Sequence, residues 1–309
     1  MTKENKMLPS GFHDLLFDEA NKDYYIKSVL SNHFLDEGFS IINTPLLEFR
    51  ENFTRDQLKK SFSTVDAISG ENLVIRSDIT LQIARLLETR LKNISLPLKL
   101  CYEGDVLVTK NDELYSDRQL TQSGFEIIGC KENDFLQIVE TSVSLVSKLV
   151  DKKSTLEISL PGFSKILCDS MNIDYNKKIR DAIKRKNLTD IAKLLDKDAG
   201  SLFCDLLTNF TDLHSIVSRV SENNGSQDVL VALSRLSSIK DLVENKYPDV
   251  EICYDVFGDI KEGSYHQDIA FKVFCEDYSY PILKGGKYKV CDLDAVGATF
   301  YVNHIRKLS

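Results

Sequence analysis

The sequence predicts an α+β protein: an antiparallel sheet flanked by helices, with a helical insertion. Three observations carry this prediction. "LPLKLCYEGDVLV" and "DRQLTQSGFEIIG" read as paired strands of a hairpin whose tip is the polar "TKNDELYS". Residues 151–246 are helical in texture and poor in strand signals. Strand texture then returns at "VEICYDVFGDI", "YHQDIAFKVFCED" and "YPILKGGKYKV". The regular β-α-β alternation of a parallel sheet is absent. The expected organisation is a core of 1–150 and 247–309 around an insertion of 151–246.

The elements follow in order. Ile26, Leu30 and Phe34 recur at i, i+4 and i+8, which predicts an amphipathic helix over 19–37, stopped by Gly38. "FSIINTPLLEF" reads as a strand interrupted by Pro45, a residue that belongs at a strand end or edge. "ENLVIRSDITLQIARLLETRL" predicts a short strand, a turn and a helix with an Ile79, Ile83, Leu86 and Leu87 stripe, capped by Ser77 or Asp78. The hairpin comes next. Phe135, Ile138, Val139, Val143, Val146 and Leu149 then mark a helix over 133–150. "YNKKIRDAIKRKNLTDIAKLLDKDAGSLFCDLLTNF" and "DVLVALSRLSSIKDLVENK" supply the insertion's helices. "AVGATFYVNHIRKL" predicts a strand or tight turn into a short terminal helix.

Bulk properties narrow the function. The 309 residues are 42% hydrophobic and 28% charged, an ordinary balance for a soluble globular chain. Lys and Arg number 39 against 47 Asp and Glu, a net charge of −8, which argues against a broad nucleic-acid surface. The seven cysteines form no C-x-x-C pair and are odd in number, so reduced thiols are expected, with no zinc knuckle or disulfide framework. The N-terminus lacks the apolar core of a signal peptide, and no run approaches the roughly 20 apolar residues of a membrane span. A cytoplasmic protein without membrane contact, metal or cofactor is expected.

Several polar residues stand where apolar ones would be expected. Gln122, Gly124 and Glu126 share one face of "LTQSGFEIIG", and Thr121, Ser123, Phe125 and Ile127 share the other. Asp78 and Thr80 lie at a helix N-terminus, and Tyr265 and His266 open a later strand. Converging on one pocket, these groups suit a small cationic ligand rich in hydrogen-bond donors, such as an amino acid's ammonium group. Each also has a structural account. Asp78 can cap a helix, Thr80 can be an ordinary first-turn residue, Gln122 and Glu126 can lie on a wetted sheet face, and His266 can be a core histidine. "KGGKYK" lacks the pattern of a phosphate loop, and "KKIRDAIKRK" reads as a solvated helix face with RNA contact as the weaker alternative.

Taken in order, the segments resemble the histidyl-tRNA synthetase family. "LPSGFHDLL" is similar to the start of its catalytic core, and "IINTPLLEF" to motif 1 of class II synthetases. "IRSDIT" is similar to the "R-P-E/D-x-T" segment, and "YEGDVLVTKNDELYSDRQLTQSGFEIIG" to the motif 2 hairpin. "GSYHQDIAFKVF", "KGGKYK" and "AVGATFYVNHI" resemble the histidine-binding strand, the "GGGRYD" turn and motif 3. The resemblance implies a class II aminoacyl-tRNA synthetase-like sheet. It implies that Asp78, Thr80 and Gln122 hold an α-ammonium, that Glu126 faces an imidazole, and that Tyr265 and His266 occupy an aromatic pair.

The chain departs from that family where the chemistry is done. Val108 stands at the motif 2 arginine that grips ATP phosphates, and Lys110 at the neighbouring acid. His304 stands at the motif 3 arginine, and Lys261 and Lys287 replace two further arginines. Adenylate formation needs positive groups on the α-phosphate, each worth about a hundredfold or more. The anticodon-binding domain is also expected to be absent. Ligand groups retained beside reaction groups lost is similar to the regulatory subunits of ATP phosphoribosyltransferase. That resemblance implies a non-catalytic subunit in histidine biosynthesis that activates a short-form catalytic subunit and conveys L-histidine feedback. It also implies a homodimer through motif 1, around Pro45, within a hetero-oligomer. Two alternatives stay open: a divergent amino-acid-activating paralogue that recruits Arg76 and Arg118 to ATP, and an RNA-binding pseudo-synthetase.

Overall fold

A computed structural model describes residues 8–109, 117–209, 211–222, 226–258 and 266–309, with the side chains of 266 and 267 outside the description. The chain divides into two compact units, one of Met1–Glu126 and Thr299–Ser309, the other of Ile127–Ala298.

The first unit opens with α1 (Phe17–Asp36), which buries Ile26, Leu30 and Phe34. Gly38, at φ +81°, lets Phe39 N–H reach back to the Phe34 carbonyl at 2.9 Å and close the helix. The chain continues through β1 (Ser40–Ile42), β2 (Leu47–Phe49), α2 (Arg55–Leu58), β3 (Ser63–Val65), β4 (Asn72–Ile75), α3 (Thr80–Thr89), β5 (Leu98–Leu107) and β6 (Gln119–Ile128). Pro45 falls between β1 and β2, which belong to different sheets: β1 pairs with β5, and β2 joins a three-stranded sheet ordered β2-β4-β3.

From Leu120 on, β6 is buried on both faces. Phe125 stacks on Phe34 at 4.6 Å between ring centroids, meets Phe39 edge-on at 5.3 Å, and lies 6.4 Å from Phe300. Each such ring buries enough apolar surface to contribute about 1.5–3 kcal/mol, with about 0.5–1.5 kcal/mol more per aromatic pair. This cluster anchors one face of β6 and so fixes where Gln122, Gly124 and Glu126 point.

The second unit continues with α4 (Glu132–Leu149), β7 (Ser154–Ser159), α5 (Phe163–Ser170), α6 (Lys177–Lys184), α7 (Leu188–Leu194), α8 (Lys197–Thr208), α9 (Leu213–Glu222), α10 (Gln227–Lys246), β8 (Val250–Tyr254), β9 (His266–Cys275), β10 (Tyr278–Val290) and β11 (Leu293–Tyr301). Its strand order is β11-β10-β9-β7-β8. The last residues of β11 and the helix α11 (Val302–Arg306) return to the first unit, where Arg306 pairs with the buried Asp23 of α1 at 2.6 Å.

Two features differ from the sequence expectation. The segment expected to be wholly helical opens with β7, whose alternating Leu156 and Ile158 are fully buried. The sheet is mixed, because β1–β5 and β7–β8 run parallel. Parallel neighbours need long crossovers, here through α3 and through α5–α10, and sequence-distant partners leave no local hairpin signature.

Candidate functional site

The site is built from residues of β6, β5, the end of β11 and the start of α3 that belong to the first unit. Gln122 and Glu126 are each 2% exposed, so they do not lie on a wetted face. Gln122 Oε1 accepts the Ile79 N–H at 3.0 Å and its amide reaches Asp78 Oδ2 at 3.5 Å. The N-cap of α3 is Ile79, which has no side-chain cap, and not Ser77 or Asp78; Asp78, one residue ahead, accepts the Thr80 N–H on Oδ1 at 2.8 Å and stands beside Gln122. Thr80 Oγ1 donates to Glu126 Oε1 at 3.1 Å. Four of the expected residues therefore come together, as an Asp78–Gln122 pair and a Thr80–Glu126 pair.

Sequence reasoning missed Tyr102 and Thr299. The Tyr102 ring lies over Gly124, where an added methyl group would collide with it, Cε2 being 2.8 Å from that position. Its hydroxyl is 2.9 Å from Thr80 Oγ1, 3.2 Å from Glu126 Oε1 and 2.8 Å from Thr299 Oγ1. The gap between the two polar walls of β6 is the seat of a tyrosine. A glycine in mid-strand was the available signal, since such a position often marks close approach by another group.

Burial is the largest influence on Asp78, and it raises the carboxyl above its ordinary value; hydrogen bonds from Thr80, Gln122 and the Leu81 N–H offset this in part. Burial, then the charges of Glu126 and Asp78, push the Tyr102 phenol well up and keep it protonated. Burial and Asp78 do the same to Tyr301, whose ring stacks on His304 at 5.3 Å. Two carboxylates on one buried site favour a cationic ligand. A raised carboxyl binds more protons folded than unfolded, so folding stability declines as pH rises through the window above the ordinary value. Asp78→Asn is therefore expected to melt above the parent at pH 7, with the gap closing as the pH falls toward the ordinary carboxyl value. Melting curves across that range check it, and a variant less stable at pH 7 would refute the electrostatic account.

The groups expected near an ATP site are placed as follows. Val108 follows β5, with its N–H on the Arg118 carbonyl at 2.9 Å. His304 is buried in α11, 6% exposed. The Arg118 guanidinium lies beside the edge-on pair of Phe12 and Phe62, at 5.7 and 4.6 Å from their ring centroids. Arg76 donates to the Asp105 carbonyl at 2.7 Å, to the Thr44 carbonyl at 2.8 Å and to Thr44 Oγ1 at 3.0 Å. Lys287, in the second unit, pairs with Asp268 at 3.7 Å. Lys110, Lys261 and Tyr265 lie outside the described residues, as does the His266 side chain.

The sheet and its flanking helices form a histidyl-tRNA synthetase-like core: residues 11–305 match the family described as Histidyl-tRNA synthetase. A Clostridium botulinum relative named ATP phosphoribosyltransferase regulatory subunit is 30% identical over 304 residues, 93% of this chain and 71% of that protein. A crystal structure of an ATP phosphoribosyltransferase regulatory subunit/histidyl-tRNA synthetase from Bacillus halodurans superposes with a TM-score of 0.83 at 19% identity, covering 100% of this chain and 84% of that one. The ATP phosphoribosyl transferase (HisG:HisZ) complex from Thermotoga maritima shares the fold with a TM-score of 0.67 at 19% identity, covering 93% and 98%. Within the synthetase-like class, the chain belongs to the family of ATP phosphoribosyltransferase regulatory subunits.

Proposed function

We propose that the chain is a non-catalytic regulatory subunit of ATP phosphoribosyltransferase that activates a short catalytic partner and conveys histidine feedback in the cytoplasm. Residues 1–150 and 247–309 act as the synthetase-like core in this reading, with 151–246 as its insertion. One observation carries it. Asp78 and Thr80, at the start of α3, are assembled against Gln122 and Glu126 of β6, while Val108 and His304 stand where a synthetase has its arginines.

The pocket holds L-histidine, with Asp78 and Gln122 toward the ammonium group and Glu126 toward the ring. Tyr265 and His266 complete the ligand set in this reading. Adenylation is absent, because Arg76 spends its donors on Thr44 and Asp105 and Arg118 packs against the rings of Phe12 and Phe62. A homodimer forms through the motif 1 region, where Ile41, Leu46, Leu47 and Phe49 are exposed.

The test mixes the purified chain with a short-form catalytic subunit and follows phosphoribosyl transfer to ATP with and without histidine. Activation by the chain and inhibition by histidine are expected. Linkage requires substrates to shift histidine affinity by the same factor, about 1–3 kcal/mol of coupling. Histidine-dependent ATP–pyrophosphate exchange by the chain alone would overturn the reading.

A further inference from the structure

Gln82 lies in the first turn of α3 and is 1% exposed. Its amide is fully engaged. Nε2 donates to the Pro45 carbonyl at 2.8 Å and to Glu48 Oε1 at 2.7 Å, and Oε1 accepts from Thr44 Oγ1 at 2.6 Å. The partners fix which way round the amide sits. A backbone carbonyl can only accept, and the Arg76 guanidinium, 3.5 Å from Oε1, can only donate. Arg85, three residues on, donates from Nε to the same Glu48 oxygen at 2.9 Å. Helix α3 thus grips Thr44, Pro45 and Glu48, and the same stretch of chain presents Leu46, Leu47 and Phe49 on the surface.

The other side of this turn is bonded to β6. The Ile79 N–H donates to Gln122 Oε1 at 3.0 Å, and the Gln82 N–H closes the turn on the Ile79 carbonyl at 2.9 Å. All of these residues belong to the first unit. A buried polar network is stable only when complete, since each group left unpaired carries its full desolvation cost. A slip of about 1 Å between the turn and the segment would take the bonds at Thr44, Pro45 and Glu48 out of hydrogen-bonding range together. The segment therefore moves with the turn. We propose that Gln82 is a positioning residue that joins the effector pocket to the subunit interface, so that histidine occupancy and self-association through Leu46, Leu47 and Phe49 bias each other. The inference rests on the pocket and homodimer readings given above and adds the link between them. Linkage makes the effect reciprocal, so it is readable from either side.

A two-by-two cycle on the full chain tests it, with calorimetry reading L-histidine affinity and ultracentrifugation reading the oligomeric state. Phe49→Asp places a charge on the interface, and Gln82→Met removes the tie while keeping the side chain's length. Phe49→Asp is expected to turn the dimer into a monomer. With Gln82 in place it should change histidine affinity by about fivefold or more, and in a Gln82→Met chain that is still dimeric by less than about twofold. If Gln82 only stabilised the fold, Gln82→Met would melt earlier and keep the full response to Phe49→Asp, and that outcome overturns the inference. So does a histidine affinity that Phe49→Asp leaves unchanged with Gln82 in place, and so does a Gln82→Met chain that is already monomeric. If Gln82→Met does not fold, Glu48→Leu cuts the same tie from the interface side and is read in the same way. A parent that binds no histidine overturns the pocket reading. A monomeric parent, or a dimer that Phe49→Asp leaves intact, overturns the homodimer reading, and either failure takes the inference with it.

Discussion

Glu126→Ala is expected to weaken histidine binding by about 2–5 kcal/mol, the usual cost of truncating one partner of a buried, hydrogen-bonded charge pair. That corresponds to a factor of about thirty to several thousand in dissociation constant. The side chain is 2% exposed and takes hydrogen bonds from Thr80 and Tyr102 on one oxygen. Its removal deletes the acceptor proposed for the ligand's ring and the oxygen that Thr80 and Tyr102 share. Calorimetric titration measures the loss directly, and in the complex with the catalytic partner the histidine concentration for half-inhibition should rise in step. Glu126→Gln separates affinity from folding, because it keeps the shape and the acceptor oxygen while removing the charge. Unchanged histidine binding in a folded Glu126→Ala chain would sink the assignment of this pocket.

Part of this site was legible in the sequence, because β6 obeys the two-residue period. Gln122, Gly124 and Glu126 had to share a face once Phe125 and Ile127 took the other, and the aromatic cluster of Phe34, Phe39 and Phe125 realises that split. The helix-start residues Asp78 and Thr80 were legible as polar groups of uncertain purpose, since capping and ligand binding use the same chemistry. What could not be read was which neighbour fills the gap above Gly124. Tyr102 comes from the adjacent strand and Thr299 from a strand 197 residues further along. Their meeting depends on strand register across the sheet, which no local pattern encodes.

The fold divides in the same way. The helices α1 and α4 and the strands β5 and β6 declare themselves through their own periodicity. β3 does not: its three residues are all exposed, so they carry no apolar alternation. β7 was hidden by the helices that follow it, and its parallel partner β8 lies beyond all six of them. Gly104, like Gly124, marks a second mid-strand vacancy for a large polar neighbour. Its missing side chain makes room for the Arg76 guanidinium, as that of Gly124 makes room for the Tyr102 ring.

Arg76→Ala is accordingly expected to cost about 3–5 kcal/mol of folding stability, the range for breaking a buried charged network from one side. Arg76 is 5% exposed, and its guanidinium links β5 to the segment before β2 through Asp105 and Thr44. The network runs on from Thr44 Oγ1 to Gln82 Oε1 at 2.6 Å, from Gln82 Nε2 to Glu48 Oε1 at 2.7 Å, and from Arg85 Nε to the same Glu48 oxygen at 2.9 Å. Burial lowers the guanidinium from its usual value, and the charges of Asp105 and Glu48 offset part of that, so the cation stays bound to its cage. Removing it takes a donor from the Thr44 and Asp105 carbonyls, while the Thr44 hydroxyl keeps its bond to Gln82, and lysine cannot restore the forked geometry. Arg118→Ala, which gives up its contact with the Phe12 and Phe62 rings, should cost only about 1 kcal/mol. Urea unfolding of the two variants discriminates between roles. A large loss at Arg76 marks it as a structural cation whose donors are committed, and therefore as no substitute for the arginine that Val108 replaces. A small loss at Arg76 would return it to the pool of cations available to a nucleotide, and with it the prospect that the chain activates an amino acid itself.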